Sequence, residues 1–88
     1  MVWVAGELQK VLPQTVVLQG DGGQAVHLQR LSEGATRFYS LDGTRWRRLL
    51  PGEVAGIEAG AKACAQALLD GRALVALRVY VGSGCGPR

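Results

Sequence analysis

The 88-residue chain has no asparagine, one histidine, one phenylalanine and two cysteines. With His27 the sole imidazole, an imidazole-based acid–base pair has only one member, and no carboxylate stands beside it in a recognisable motif. An exposed strand histidine is the plain reading. A structural zinc site wants four Cys/His ligands in closely spaced pairs, which Cys64, Cys85 and His27 do not supply. The stretch Gly20-Asp21-Gly22-Gly23 is followed by neither Lys-Ser/Thr nor a helix start, so it reads as a turn and not a phosphate loop. The expectation is therefore a protein that is not an enzyme and uses no metal or cofactor. No apolar run approaches the roughly 18 residues of a membrane-spanning helix, which argues against membrane insertion. The start lacks the basic and then apolar pattern of a signal peptide, which points to the cytoplasm. The missing asparagine fits a heat-adapted source, while six glutamines weigh against it.

What is present describes one small globular domain. Apolar residues make up 48% and charged residues 19% of the chain, outside the range of disordered sequences. The formal charge is +3, too mild for a tail built to bind nucleic acid. Residues 1–81 are expected to form a single β domain, and the glycine-rich stretch 82–88 a flexible tail.

Asp21-Gly22, Asp42-Gly43 and Asp70-Gly71 each lie between runs of β-branched, aromatic or aliphatic residues. Each is a hairpin candidate, because Asp-Gly supplies the positive φ angles of a tight turn. A first strand is expected over Val2–Val11, with Val2, Val4 and Leu8 on one face, Trp3, Glu7 and Gln9 on the other, and Gly6 where the strand coils. A turn at Leu12-Pro13-Gln14 leads to Thr15–Gln19. Ala25–Leu31 follows, with Val26 and Leu28 inward and His27 and Gln29 outward. A second hairpin is expected to join Arg37–Leu41 to Thr44–Leu49. A two-residue Asp42-Gly43 turn pairs Tyr39 with Trp46, Phe38 with Arg47 and Arg37 with Arg48.

Two patterns compete between Gly52 and Leu69. As a helix, Val54, Ile57, Ala61, Cys64 and Leu68 form an apolar stripe, giving an α+β alternative with a helix at about 52–69. Against it, Gly52, Gly56 and Gly60 each cost about 1 kcal/mol inside a helix. Ala61, Ala63, Ala65 and Ala67 also alternate with Lys62, Cys64 and Gln66. The favoured reading is a helical turn near Pro51–Ile57 and then a hairpin closing through Ala73–Val81.

Several stretches together resemble a small bacterial module of the oligonucleotide/oligosaccharide-binding (OB) type, of unknown function. They are Gly6-Glu7-Leu8-Gln9-Lys10-Val11, Thr15-Val16-Val17-Leu18, Gly23-Gln24-Ala25-Val26-His27-Leu28, Thr36-Arg37-Phe38 and Leu74-Val75-Ala76-Leu77-Arg78-Val79. The resemblance spans most of the chain. It implies a mainly β, OB-like antiparallel barrel with at most one short helix, often found in envelope or secreted proteins, and no particular ligand.

The second hairpin holds the candidate site: Arg37, Tyr39, Arg45, Trp46, Arg47 and Arg48. Arg37 opposite Arg48 is unfavourable unless an anion lies between them. Tyr39 and Trp46 beside them could stack bases of single-stranded nucleic acid, with Arg45 and Arg47 on the rim. The competing reading makes Tyr39 and Trp46 a core pair with arginines snorkelling over it. A disulfide joining Cys64 to Cys85 would imply an oxidising compartment; the alternative is one buried cysteine and one exposed tail thiol. Two functions stay open: a non-catalytic binding or structural module, with another protein among its conceivable partners, and a single-stranded nucleic-acid binder.

Overall fold

Short glycine turns and alternating apolar residues favour strands along nearly the whole chain. The computed structural model describes residues 1–20, 22–31 and 35–82. Its strands are β1 (Val2–Val11), β2 (Thr15–Gln19), β3 (Ala25–Arg30), β4 (Arg37–Asp42), β5 (Arg45–Arg48), β6 (Lys62–Asp70) and β7 (Ala73–Val81). The one helical turn, α1, covers Pro51–Val54. The protein is mainly β.

The strands run β3-β2-β1-β6-β7-β4-β5, and a further β3–β7 pairing closes β1, β2, β3, β7 and β6 into a barrel-like ring. Every ring pairing is antiparallel except β3–β7. One edge of β7 is divided between two parallel partners. β3 takes Leu74–Ala76, and β4 takes Arg78–Val81. The ring thus opens into a wing made of the first half of β1, β6, the second half of β7, β4 and β5.

Thr36 sits where β7 changes partner. Its buried hydroxyl donates to Ala76 O at 2.7 Å and accepts from Leu31 N–H at 2.8 Å. One side chain thus ties the end of β3 to β7. Thr36→Val preserves the shape but removes both bonds, so it should destabilise by about 1–3 kcal/mol in urea titrations. Thr36→Ser should lose much less.

Leu8, Val16, Leu18, Leu28 and Phe38 fill the interior against Ala63, Ala65, Ala67 and Ala76. Large side chains from one side of a narrow ring need small ones from the other. That is why the alanine alternation belongs to a strand. The helix alternative over 52–69 is corrected accordingly: α1 stops at Val54, and Gly60, at φ +92°, redirects the chain into β6.

The second hairpin also differs from expectation. Tyr39 pairs with Arg48, Ser40 with Arg47, Leu41 with Trp46 and Asp42 with Arg45. The turn residues are Gly43-Thr44, and Gly43 alone has positive φ, at +65°. Glycine at the first central position is the type II′ pattern, so Asp42 ends its strand and does not occupy the turn. The hairpin ending β6 repeats this, with Asp70 paired to Ala73 and Gly71 at φ +63°. Tyr39 therefore does not face Trp46, nor Phe38 Arg47, nor Arg37 Arg48.

Candidate functional site

Moving the turn by one residue changes each strand's partner by two positions, which preserves facing. Arg37, Tyr39, Trp46 and Arg48 still share one side of the wing. Parallel pairing sets Arg37 beside Arg78 and Tyr39 beside Tyr80. From there the ladder runs to Cys64 and Gln66 on β6, and on to Ala5 and Trp3 on β1. Phe38, Val79 and Ala65 point the other way, into the core.

The outer face therefore carries an aromatic cluster centred on Tyr80, which is only 5% exposed. Tyr39 stacks on it at 5.0 Å between ring centroids, Trp46 meets it edge-on at 5.2 Å, and Trp3 lies tilted at 5.9 Å. Every Trp and Tyr of the chain is in this group, and the remaining aromatic, Phe38, is inside. Tyr39 and Trp46 are half-buried, and Trp3 is 48% exposed. The core-pair reading of Tyr39 and Trp46 does not hold, because their faces are those turned away from Phe38.

Arg37 and Arg78 stand exposed beside the cluster and line a shallow groove with Met1, Ala35, Gln66 and Leu77. Among the described residues neither has a carboxylate partner. Two adjacent guanidinium groups without a counter-charge favour an anion there. Arg48 is exposed at the end of the same face.

Arg45 and Arg47 belong to the opposite side of β5. Arg47 forms a two-pronged ion pair with Glu53 of α1, at 3.1 and 2.9 Å, and Glu53 also accepts Leu50 N–H at 3.0 Å. Arg47 is thus a structural clamp and not part of a basic rim. Its hydrogen bonds hold the Glu53 carboxyl below the usual carboxylate range, helped by Leu50 N–H. A lowered carboxyl stabilises the fold above its unfolded pKa and loses that contribution as pH falls through its folded one. The stability difference between the native protein and Glu53→Gln should be small at neutral pH, shrink with salt and disappear as pH falls through the lowered folded-state pKa of Glu53 in urea titrations.

The sequence reading missed Trp3, Gln66, Arg78 and Tyr80 as members of this face. Alternation alone puts Arg78 and Tyr80 on one side of β7. Only the long-range β4–β7 pairing sets them beside Arg37 and Tyr39. Elsewhere, His27 is exposed, and among the described residues no carboxylate lines the hollow it shares with Thr15, Gln29 and Arg72. No group of three or more His, Cys, Asp or Glu that could hold a metal occurs among the described residues. None of the described helices is long and apolar enough to cross a membrane. Cys64 is fully buried in β6, while Cys85 and the proposed bond to it lie outside the described residues, as do residues 83–88 of the expected tail.

No family model, curated protein or solved structure matches the chain. The functional reading rests on the site itself.

Proposed function

We propose that this protein is a non-catalytic binding module built on an OB-like barrel, and that it takes single-stranded nucleic acid on the outer aromatic–arginine face of the wing. The observation that carries this reading is the gathering of Trp3, Tyr39, Trp46 and Tyr80 on one outer face, beside Arg37 and Arg78. In a domain this small, aromatic side chains are normally needed inside. Here alanines and leucines fill the interior, and both tryptophans are left at the surface layer. Base faces stack on such rings whatever their sequence, and guanidinium groups alongside meet the phosphates. The five-strand ring, closed by one parallel pairing, supports the OB-like part of the reading.

Titration with mixed-sequence single-stranded DNA and RNA at low salt, followed by Trp fluorescence, tests it. Quenching should weaken with salt. Trp46→Ala should reduce affinity about 5- to 150-fold, equivalent to about 1–3 kcal/mol per stacked base. Arg37→Ala should flatten the log–log salt dependence by about 0.7, the share of one phosphate contact on a single strand. Absence of quenching at low salt would overturn the nucleic-acid assignment and leave a structural or protein-binding module. The compartment has its own test. Two thiols reactive in denaturant after aerobic purification would show that Cys64 and Cys85 are not joined and remove the argument for an oxidising compartment.

A further inference from the structure

The β4–β5 ladder continues one pair past Tyr39–Arg48, where Leu49 N–H donates to Phe38 O at 2.7 Å. Pro51 has no N–H to carry it further, and the chain leaves β4 to form α1. Where the two part, a cleft of about 730 Å³ opens beside the end of β3. Small-molecule sites commonly enclose about 300–1,000 Å³.

The cleft has walls of two kinds. Phe38, Leu49 and Val54 give it an apolar floor continuous with the core, and Leu50, 66% exposed, stands along one side. Arg30, Arg37 and Arg48 line it as well. Arg30 is held in place, because one of its nitrogens donates to Leu12 O at 2.8 Å and its guanidinium lies over the Phe38 ring. Arg37 and Arg48 are exposed. They are diagonal neighbours on one face of the hairpin, a spacing of about 7–8 Å, which leaves room for a carboxylate between their guanidinium groups. Among the described residues no acid lines the cleft. Glu53, the acid of α1, is committed to Arg47 on the other side of β5.

An apolar floor bordered by cations calls for a ligand with a hydrocarbon part and an anionic head. A nucleobase suits it poorly, since its polar edges would lie against Phe38, Leu49 and Val54 without partners. A carboxylate, by contrast, matches the planar fork of a guanidinium through two parallel hydrogen bonds. We propose that this cleft binds a medium-chain aliphatic carboxylate, its chain along Phe38, Leu49 and Leu50 and its head at Arg37 and Arg48. Arg37 lines both this cleft and the groove on the aromatic face, but the proposal does not depend on what that face binds.

Backbone amide NMR of the intact protein, titrated with decanoate below its micellar concentration, tests this. The expected result is saturable shifts centred on the amides of Arg37, Phe38, Leu49 and Leu50. Decanamide, which keeps the chain without the charge, should bind about 10-fold more weakly, and acetate at the same concentrations should shift none of these amides. Arg37→Gln should weaken decanoate about 10-fold and leave decanamide unchanged, a difference that loss of structure would not produce. Trp46→Ala, which removes a ring from the aromatic face, should bind decanoate as the native protein does, whether or not that face takes nucleic acid. Decanamide binding as tightly as decanoate would overturn the proposal. So would shifts that fail to saturate, or that gather instead around the exposed Trp3, Leu68 and Leu69. If Arg37→Gln does not fold, the three ligands on the unaltered protein decide the matter alone.

Discussion

Replacing Phe38 with alanine should cost about 3–5 kcal/mol, the usual penalty for emptying a buried aromatic site. A domain of this size holds only about 5–12 kcal/mol in total. The variant should therefore unfold at a far lower urea concentration, with an unchanged slope if the transition stays two-state. Phe38 is 2% exposed and is the largest of the fully buried side chains. It stands on β4 where the ring opens into the wing. Its side chain packs with the interior of the ring, and its strand joins β7 alongside Val79. The Arg30 guanidinium lies over its ring at 5.1 Å from the centroid. Alanine leaves a cavity that the surrounding strands cannot close without parting their ladders. Phe38→Leu should retain most of the stability. A loss below about 1 kcal/mol for Phe38→Ala would show that the β4–β5 hairpin contributes little to holding the ring together.

Gly6→Ala should lower the melting temperature by on the order of 10 °C, because the site has no room for a single methyl group. A Cβ at this position would stand 2.3 Å from Gln19 O and 2.8 Å from Gln19 C. Both atoms are backbone, so no side chain can swing aside. β2 must move away from β1 at the Glu7–Gln19 pair, where their ladder begins. Overpacking of this kind costs about 1–3 kcal/mol, and each kcal/mol shifts the midpoint of so small a domain by about 4–8 °C. Gly20→Ala is the matched control, since the nearest atom to its added Cβ is Gln24 O at 3.8 Å. It should melt close to the native protein. Equal losses for the two variants would mean that β1 and β2 do not approach as closely as the structure places them.

Much of the architecture was legible locally. Alternating residues delimited β1 as Val2–Val11 and β7 as Ala73–Val81, as they stand in the structure. Inward Leu28 and outward His27 and Gln29 follow from the same two-residue period. The alanine alternation and the glycines at 52, 56 and 60 favoured a hairpin over a long helix, and the structure decided it with α1 ending at Val54. Arg37, Tyr39, Trp46 and Arg48 were correctly placed on one face although their pairing was not, because facing repeats every two residues and survives a register change by an even number.

Other features were not legible because they depend on which distant strand lies alongside. Asp42-Gly43 signals a turn, but whether aspartate sits in the turn or closes the strand depends on the ladder around it. Arg47 looks like Arg45 and Arg48 in the sequence, and only the position of α1 ties it to Glu53. The choice between a core pair and a surface cluster for Tyr39 and Trp46 could not be made from the hairpin alone, since either face of an isolated hairpin could be the buried one.

The sequence by itself determined which stretches form strands and which residues of each share a face, because turn chemistry and the two-residue period of a strand are local properties. The tertiary structure decided which face became the interior and which strands became edges. The parallel joining of β4 to β7 turned Phe38 inward and assembled Trp3, Tyr39, Trp46 and Tyr80 outside. That choice is made by packing between strands some 40 residues apart along the chain, and no local pattern encodes it.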